Sequence, residues 1–137
     1  MKSPPPLEGT KAIQAYWREP SETRLAAVLS LLSTDEALRG ESEVARRHQA
    51  ALRQAAARGQ AKQPVSDLIL LATQVQAPTL LVWGRADRFS PIDYGLGLLA
   101  RITDAQFHML PNCGHWTQRE RPDEFNTLTL DFLGAAP

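Results

Sequence analysis

Apolar residues recur three to four positions apart through the first seventy residues, then gather into short unbroken runs after Pro78. The first pattern predicts helices with one buried face; the second predicts strands. In the helical stretch, Thr10 can cap a helix through Trp17 that Pro20 ends, and Ser21 can cap a second carrying Leu25, Val28, Leu29 and Leu32. Ser33 and Glu36 have the spacing of a capping box for a short third piece, closed by Gly40. Residues 41–58 favour helix strongly and Gly59 is a C-terminal stop. A connector is expected over 60–64, with a further turn or two of helix from Ser66.

After Pro78 the period changes. Residues 79–83 form a continuously apolar, β-rich run, which predicts a strand buried on both faces of a parallel sheet. Pro91 stands at a good first position for a helix through Leu98 to Ala100, and 105–110 reads as a second strand. Pro122 opens a last amphipathic helix with Phe125, Leu128, Leu130 and Phe132. Strand, helix, strand, helix is the end of an α/β sheet, so the fold class is α/β. A parallel pair needs neighbours, and an exposed Leu80-Leu81-Val82-Trp83 edge invites pairing with another chain. The polypeptide is therefore expected to self-associate, or to be unstable, unless a complementing chain supplies the rest of the sheet.

Composition adds mainly exclusions. With 43% apolar residues the chain can build a core, and 15 basic residues balance 15 acidic ones without clustering, so no field would gather nucleic acid or anionic lipid. The longest apolar runs are too short to span a bilayer, and the Pro-rich start lacks the apolar run of a secretion signal. One cysteine, Cys113, fits a reducing compartment, and a cytoplasmic location is expected.

The candidate chemistry lies just after the two strands. Asp87, in the Gly84-Arg85-Ala86-Asp87 turn, would emerge at the carboxyl end of the sheet, where such sheets place ligands. Read alone, it is equally a turn aspartate bonding its own backbone amides. His115 follows the second strand in Cys113-Gly114-His115-Trp116, leaving the same edge, so the carboxylate could hold the imidazole while its free nitrogen takes a proton from a nucleophile. Trp116 and Phe89 would flank this point as apolar walls. A metal site of Cys113, His115 and His108 lacks a fourth ligand at a convincing spacing, and Cys113 has no helix N-terminus to activate it as a nucleophile. No metal or cofactor is implied.

No Gly-x-Ser-x-Gly turn occurs; the nearest string, Gly40-Glu41-Ser42-Glu43-Val44, lacks the second glycine and a preceding strand. The helix from Glu41 carries one oddity. Its apolar stripe runs Val44, Arg47, His48, Ala51, Leu52, Ala55, which places a cation in a face that should be buried. Arg47 either snorkels to solvent or points into a cleft to pair with a carboxylate.

The stretch Gly84-Arg85-Ala86-Asp87-Arg88-Phe89, Asp93-Tyr94-Gly95-Leu96, Cys113-Gly114-His115-Trp116-Thr117-Gln118 and Asp123-Glu124-Phe125-Asn126 resembles the C-terminal part of the meta-cleavage product hydrolases. These are α/β-hydrolase enzymes that split a carbon–carbon bond in 2-hydroxy-6-oxo-dienoates from aromatic-ring degradation. Pro6-Leu7-Glu8-Gly9 and the helix bearing Arg47 resemble that family's lid. The resemblance implies a partial α/β-hydrolase fold, with a helical lid over 1–74 and the last two strand–helix units of the parallel sheet over 75–137. It implies Asp87 as triad acid, His115 as triad base, Trp116 as an active-site tryptophan and Arg47 as a lid arginine on the dienoate carboxylate. The nucleophilic serine and oxyanion hole are outside the sequence. The expectation is a small-molecule hydrolase, truncated or split, inert alone. A non-catalytic binding or dimerisation module and an esterase or lactonase are the alternatives.

Overall fold

The computed structural model describes residues 8–58 and 71–135. The proline-rich start, the stop at Gly59, the connector over 60–64 and the turns from Ser66 lie outside the described residues.

Three helices come first: α1 (Glu8–Arg18), α2 (Glu22–Leu32) and α3 (Glu41–Arg58). Ser21 caps α2 as expected, its hydroxyl accepting from the Arg24 N–H at 3.3 Å. Thr10 does not cap α1, because the helix already includes Glu8, whose carboxylate suits the positive end of the helix dipole. Nor do Ser33 and Glu36 form a capping box. The piece after α2 is a single 3-10 turn, Glu36–Leu38, capped by Asp35 through the Ala37 N–H at 2.9 Å, while the Ser33 hydroxyl accepts from the Asp35 N–H. An aspartate adjacent to the turn reaches its amides sooner than a serine two residues back.

The buried faces of these helices meet in one cluster of Tyr16, Leu25, Val28, Leu29, Leu32 and Val44. Tyr16, Val28 and Leu29 are almost wholly removed from water, each contributing about 1.5–3 kcal/mol if an ordinary apolar side chain is the guide. Tyr16 Oη and His48 Nδ1 stand 2.9 Å apart inside this core, so the polar tips of α1 and α3 satisfy each other.

The second half alternates strand and helix. Strands β1 (Thr79–Gly84) and β2 (Ala105–Leu110) run parallel, with Thr79 opposite Ala105 and Gly84 opposite Leu110. Between them lies α4 (Ile92–Leu99), for which Pro91 is the residue before the first turn, one position outside the helix. A short helix, α5 (Thr117–Glu120), follows β2, and α6 (Pro122–Gly134) closes the chain. Proline opens α6 as expected, because its missing N–H would have no helical partner there.

Two expectations fail here. Residues 79–83 of β1 are only half-buried, because among the described residues β1 is bonded to β2 alone and its other edge is open. On α6, Leu130 is 68% exposed; the half-buried stripe is Phe125, Leu128, Thr129 and Phe132. That is the i, i+3, i+4, i+7 face, and Leu130 lies off it. Among the described residues no helix is long and apolar enough to cross a membrane.

Phe89 from the loop after β1 and Trp116 from the loop after β2 pack against the helical cluster. The helices and the carboxyl end of the sheet thus share one apolar seam, and the candidate site lies on it.

Candidate active site

Parallel strands send their following loops off the same end, so the residues after Gly84 and after Leu110 are forced together. The Arg85 N–H bonds the Leu110 carbonyl at 3.0 Å and the Ala86 N–H bonds the Cys113 carbonyl at 2.8 Å, lacing one loop to the other. The approach is so close that a Cβ on Gly84 would lie 1.9 Å from the Gly114 carbonyl oxygen. Asn112 takes the turn out of β2 at φ 49°, a left-handed conformation that asparagine tolerates better than most residues.

This lacing brings Asp87 Oδ2 to 2.9 Å from His115 Nδ1. The Asp87 side chain is 5% exposed and His115 35%. The other aspartate oxygen accepts the Phe89 and Ser90 N–H groups at 2.8 and 2.9 Å. The turn reading and the partner reading of Asp87 are therefore both true of one side chain: the turn amides fix the carboxylate, and the fixed carboxylate orients the imidazole. Because a carboxylate only accepts, Nδ1 carries a proton, and in the neutral imidazole Nε2 then holds the lone pair. The Phe89 ring stands 5.5 Å from the imidazole and tilts toward it as an apolar wall. A cavity of about 90 Å³ touches the pair, lined by Val82, Trp83, Gly84, Asp87, His115 and Thr117.

Trp116 lies under the helices rather than in open solvent. The Arg47 guanidinium carbon sits 4.1 Å above its ring centroid, and that of Arg119 is 5.7 Å away. Arg47 neither snorkels freely nor stands bare in a cleft: its Nε donates to Glu43 at 2.6 Å, one helical turn back. Among the described residues this is its one hydrogen bond, and it uses Nε rather than the terminal amino groups. Glu43 also accepts from Arg46 and Arg119. Three guanidiniums around one carboxylate leave an excess of positive charge beside Trp116, next in sequence to His115.

The alternative chemistry does not assemble. Cys113 is fully buried, and burial, reinforced chiefly by the Glu120 charge, pushes its thiol up to about 11, away from the thiolate a nucleophile requires. His108 lies in the middle of β2 opposite Val82, and among the described residues no three potential ligands gather as a metal site would require.

Sequence reasoning did not single out Glu43, Arg119 or Glu120. For Glu43 a signal existed: it stands four residues before Arg47 on one helix. Arg119 meets Glu43 from 76 positions away, and Glu120 binds Thr34 from 86 positions away together with the nearby backbone amides of Gly114 and Trp116, which no residue type announces.

The sequence pattern of the alpha/beta hydrolase family matches residues 2–128. The chain is 42% identical to the 2-hydroxy-6-oxo-6-phenylhexa-2,4-dienoate hydrolase of Burkholderia cepacia, over 96% of this chain and 48% of that protein. It is 40% identical to a 2-hydroxy-6-oxononadienedioate/2-hydroxy-6-oxononatrienedioate hydrolase of Comamonas testosteroni, over 93% of this chain and 47% of that protein. A solved structure of a meta-cleavage product hydrolase from Pseudomonas fluorescens IP01, in complex with acetates, matches with a TM-score of 0.82 at 26% identity, over 99% of this chain and 53% of that one. The chain spans about half the length of the curated relatives it matches. The α/β-hydrolase fold and the likeness to meta-cleavage product hydrolases, both expected from the motifs around Asp87 and His115, are borne out.

Proposed function

Because this chain belongs to the alpha/beta hydrolase family, we propose that Asp87 and His115 are the acid and base of a serine-type triad completed by a nucleophile from outside this sequence. The completed site would cleave a carbon–carbon bond in a 2-hydroxy-6-oxo-dienoate, the substrate class for which the curated relatives are named. The observation that carries the reading is the 2.9 Å contact between a buried, doubly anchored carboxylate and an imidazole whose other nitrogen is left to accept a proton.

The chemistry fits such a pair. A carbon–carbon bond breaks heterolytically only if the departing carbon can hold the electron pair as an enolate, so the dienol must first be ketonised. His115 can move that proton. It then takes the proton of the nucleophile as it adds to the 6-oxo carbonyl, and returns one to the departing carbon chain. The Arg47, Arg119 and Trp116 cluster supplies positive charge and a flat apolar wall for a planar, anionic substrate. Arg47, whose one hydrogen bond among the described residues uses Nε, would hold the dienoate carboxylate with its terminal amino groups, and the region of residues 1–74 would act as the lid that carries it.

The open edge of β1 fits the same reading. It borders an apolar groove of about 560 Å³ whose lining includes Leu81, Trp83, Phe125, Phe132 and Leu133. We assign this groove to the remaining strands and helices of the sheet, supplied by a complementing chain or by further sequence.

The Arg47 assignment is tested by Arg47→Gln in the completed enzyme. The expected result is a KM for dienoate raised by ten- to a hundred-fold, in line with roughly 1.5–3 kcal/mol for a hydrogen bond to a charged group. Hydrolysis of an uncharged ester by the same variant should change little. Equal effects on both substrates would remove the carboxylate-binding role and favour an esterase or lactonase.

A further inference from the structure

Glu120 is a carboxylate to which nothing above assigns work. It ends the four-residue helix α5, and its side chain turns back onto the loop that carries His115. Its Oε2 accepts from the Gly114 N–H at 3.0 Å, the Thr34 N–H at 2.9 Å and the Thr34 hydroxyl at 2.9 Å, and its Oε1 accepts from the Trp116 N–H at 3.2 Å. The amide between these two loop donors, that of His115 itself, goes to the Leu32 carbonyl at the end of α2, at 2.7 Å. All three consecutive amides of residues 114–116 are therefore held, two of them by one side chain.

We propose that Glu120 is the positioning residue of the candidate base: it clamps the backbone on both sides of His115 so that Nδ1 meets Asp87. Through Thr34 it ties that setting to the stretch just after α2.

Three features support the role. A loop amide with no regular ladder needs an acceptor, and the two oxygens of Glu120 take three such amides, those of Thr34, Gly114 and Trp116. Burial disfavours the charge of Glu120, yet the hydrogen bonds from Gly114, Thr34 and Trp116 outweigh it and hold the carboxyl below its ordinary range. The packing is also too close for the loop to settle elsewhere by small shifts. A Cβ on Gly114 would meet the Leu32 carbonyl oxygen at 2.5 Å and Glu120 Oε1 at 3.0 Å.

The proposal rests on the reading of Asp87 and His115 as an acid–base pair, and its test needs no turnover. In the full chain, the His115 Nδ1 proton bonded to Asp87 should give a far-downfield proton resonance. The Trp83 indole N–H, bonded to the Ser90 carbonyl at 2.8 Å, reports on the neighbouring loop. Glu120→Gln removes the charge and turns one acceptor oxygen into an NH2 group facing backbone donors. The expected result is loss of the His115 resonance with the Trp83 signal kept. If Glu120→Gln does not fold, Glu120→Asp decides the matter. Its carboxylate falls short of some donors, and it should weaken the His115 resonance while sparing Trp83.

A His115 signal of full strength in the folded variant overturns the proposal. So does a joint loss of both signals in Glu120→Asp, which would make the bonds general scaffolding. A wild-type chain without the far-downfield resonance instead overturns the acid–base reading itself, and the Glu120 role with it.

Discussion

In the completed enzyme, Asp87→Asn is expected to lower dienoate turnover by about 10⁴-fold, the scale seen when a triad aspartate is made an amide without disturbing its geometry. Asparagine can still accept the Phe89 and Ser90 N–H groups through its oxygen, so the turn survives. What it then offers His115 Nδ1 is an NH2 group. The imidazole must answer with a lone pair, which moves its proton to Nε2, and Nε2 can no longer act as base. Single-turnover decay of the dienoate chromophore measures the effect. A loss of less than ten-fold would mean that the 2.9 Å contact is structural and that the base, if His115 is one, works without it.

Gly84→Ala should be the most damaging small substitution in the chain. A Cβ there would meet the Gly114 carbonyl oxygen at 1.9 Å and the Cys113 carbonyl oxygen at 2.5 Å. Both obstacles are backbone, and the second also bonds the Ala86 N–H, so neither can swing aside as a side chain would. The loop after β2 must move bodily away from the end of β1, taking His115 from Asp87. The expected cost is about 3 kcal/mol or more, at or above the upper end for overpacking, read as a lowered midpoint of urea unfolding. Turnover should fall with it. An alanine variant of unchanged midpoint would mean that the two loops are set further apart than this account requires.

The elements that local chemistry specifies were legible in the sequence. Ser21 before an apolar stripe, Pro122 before another, and two short β-rich runs each carry their own signal, and each stands where it was expected. Asp87 and His115 were legible as a pair because parallel strands send their loops to one edge. What escaped was decided by contacts between distant segments. The open edge of β1 was expected from the lack of neighbours for a parallel pair; what the apolar run over 79–83 did not announce is that, among the described residues, the strand is only half-buried. Arg47 was marked as misplaced in an apolar stripe, but its resolution depends on a tryptophan sixty-nine positions later lying flat beneath it. The donors of Glu120 come from Thr34, Gly114 and Trp116, and only the folded seam gathers them.

On the proposed function, this chain brings the acid and base of a carbon–carbon bond hydrolase to a nucleophile from outside its sequence. The most direct measurement compares dienoate turnover by the chain alone with turnover after joining it to the half of the Burkholderia cepacia hydrolase that it does not match. Near-background decay is expected for the chain alone, since loss of a triad nucleophile costs roughly 10⁶-fold, and restored turnover for the joined protein that His115→Ala abolishes. Turnover by the chain alone at the rate of the joined protein, or a joined protein indifferent to His115, would contradict it.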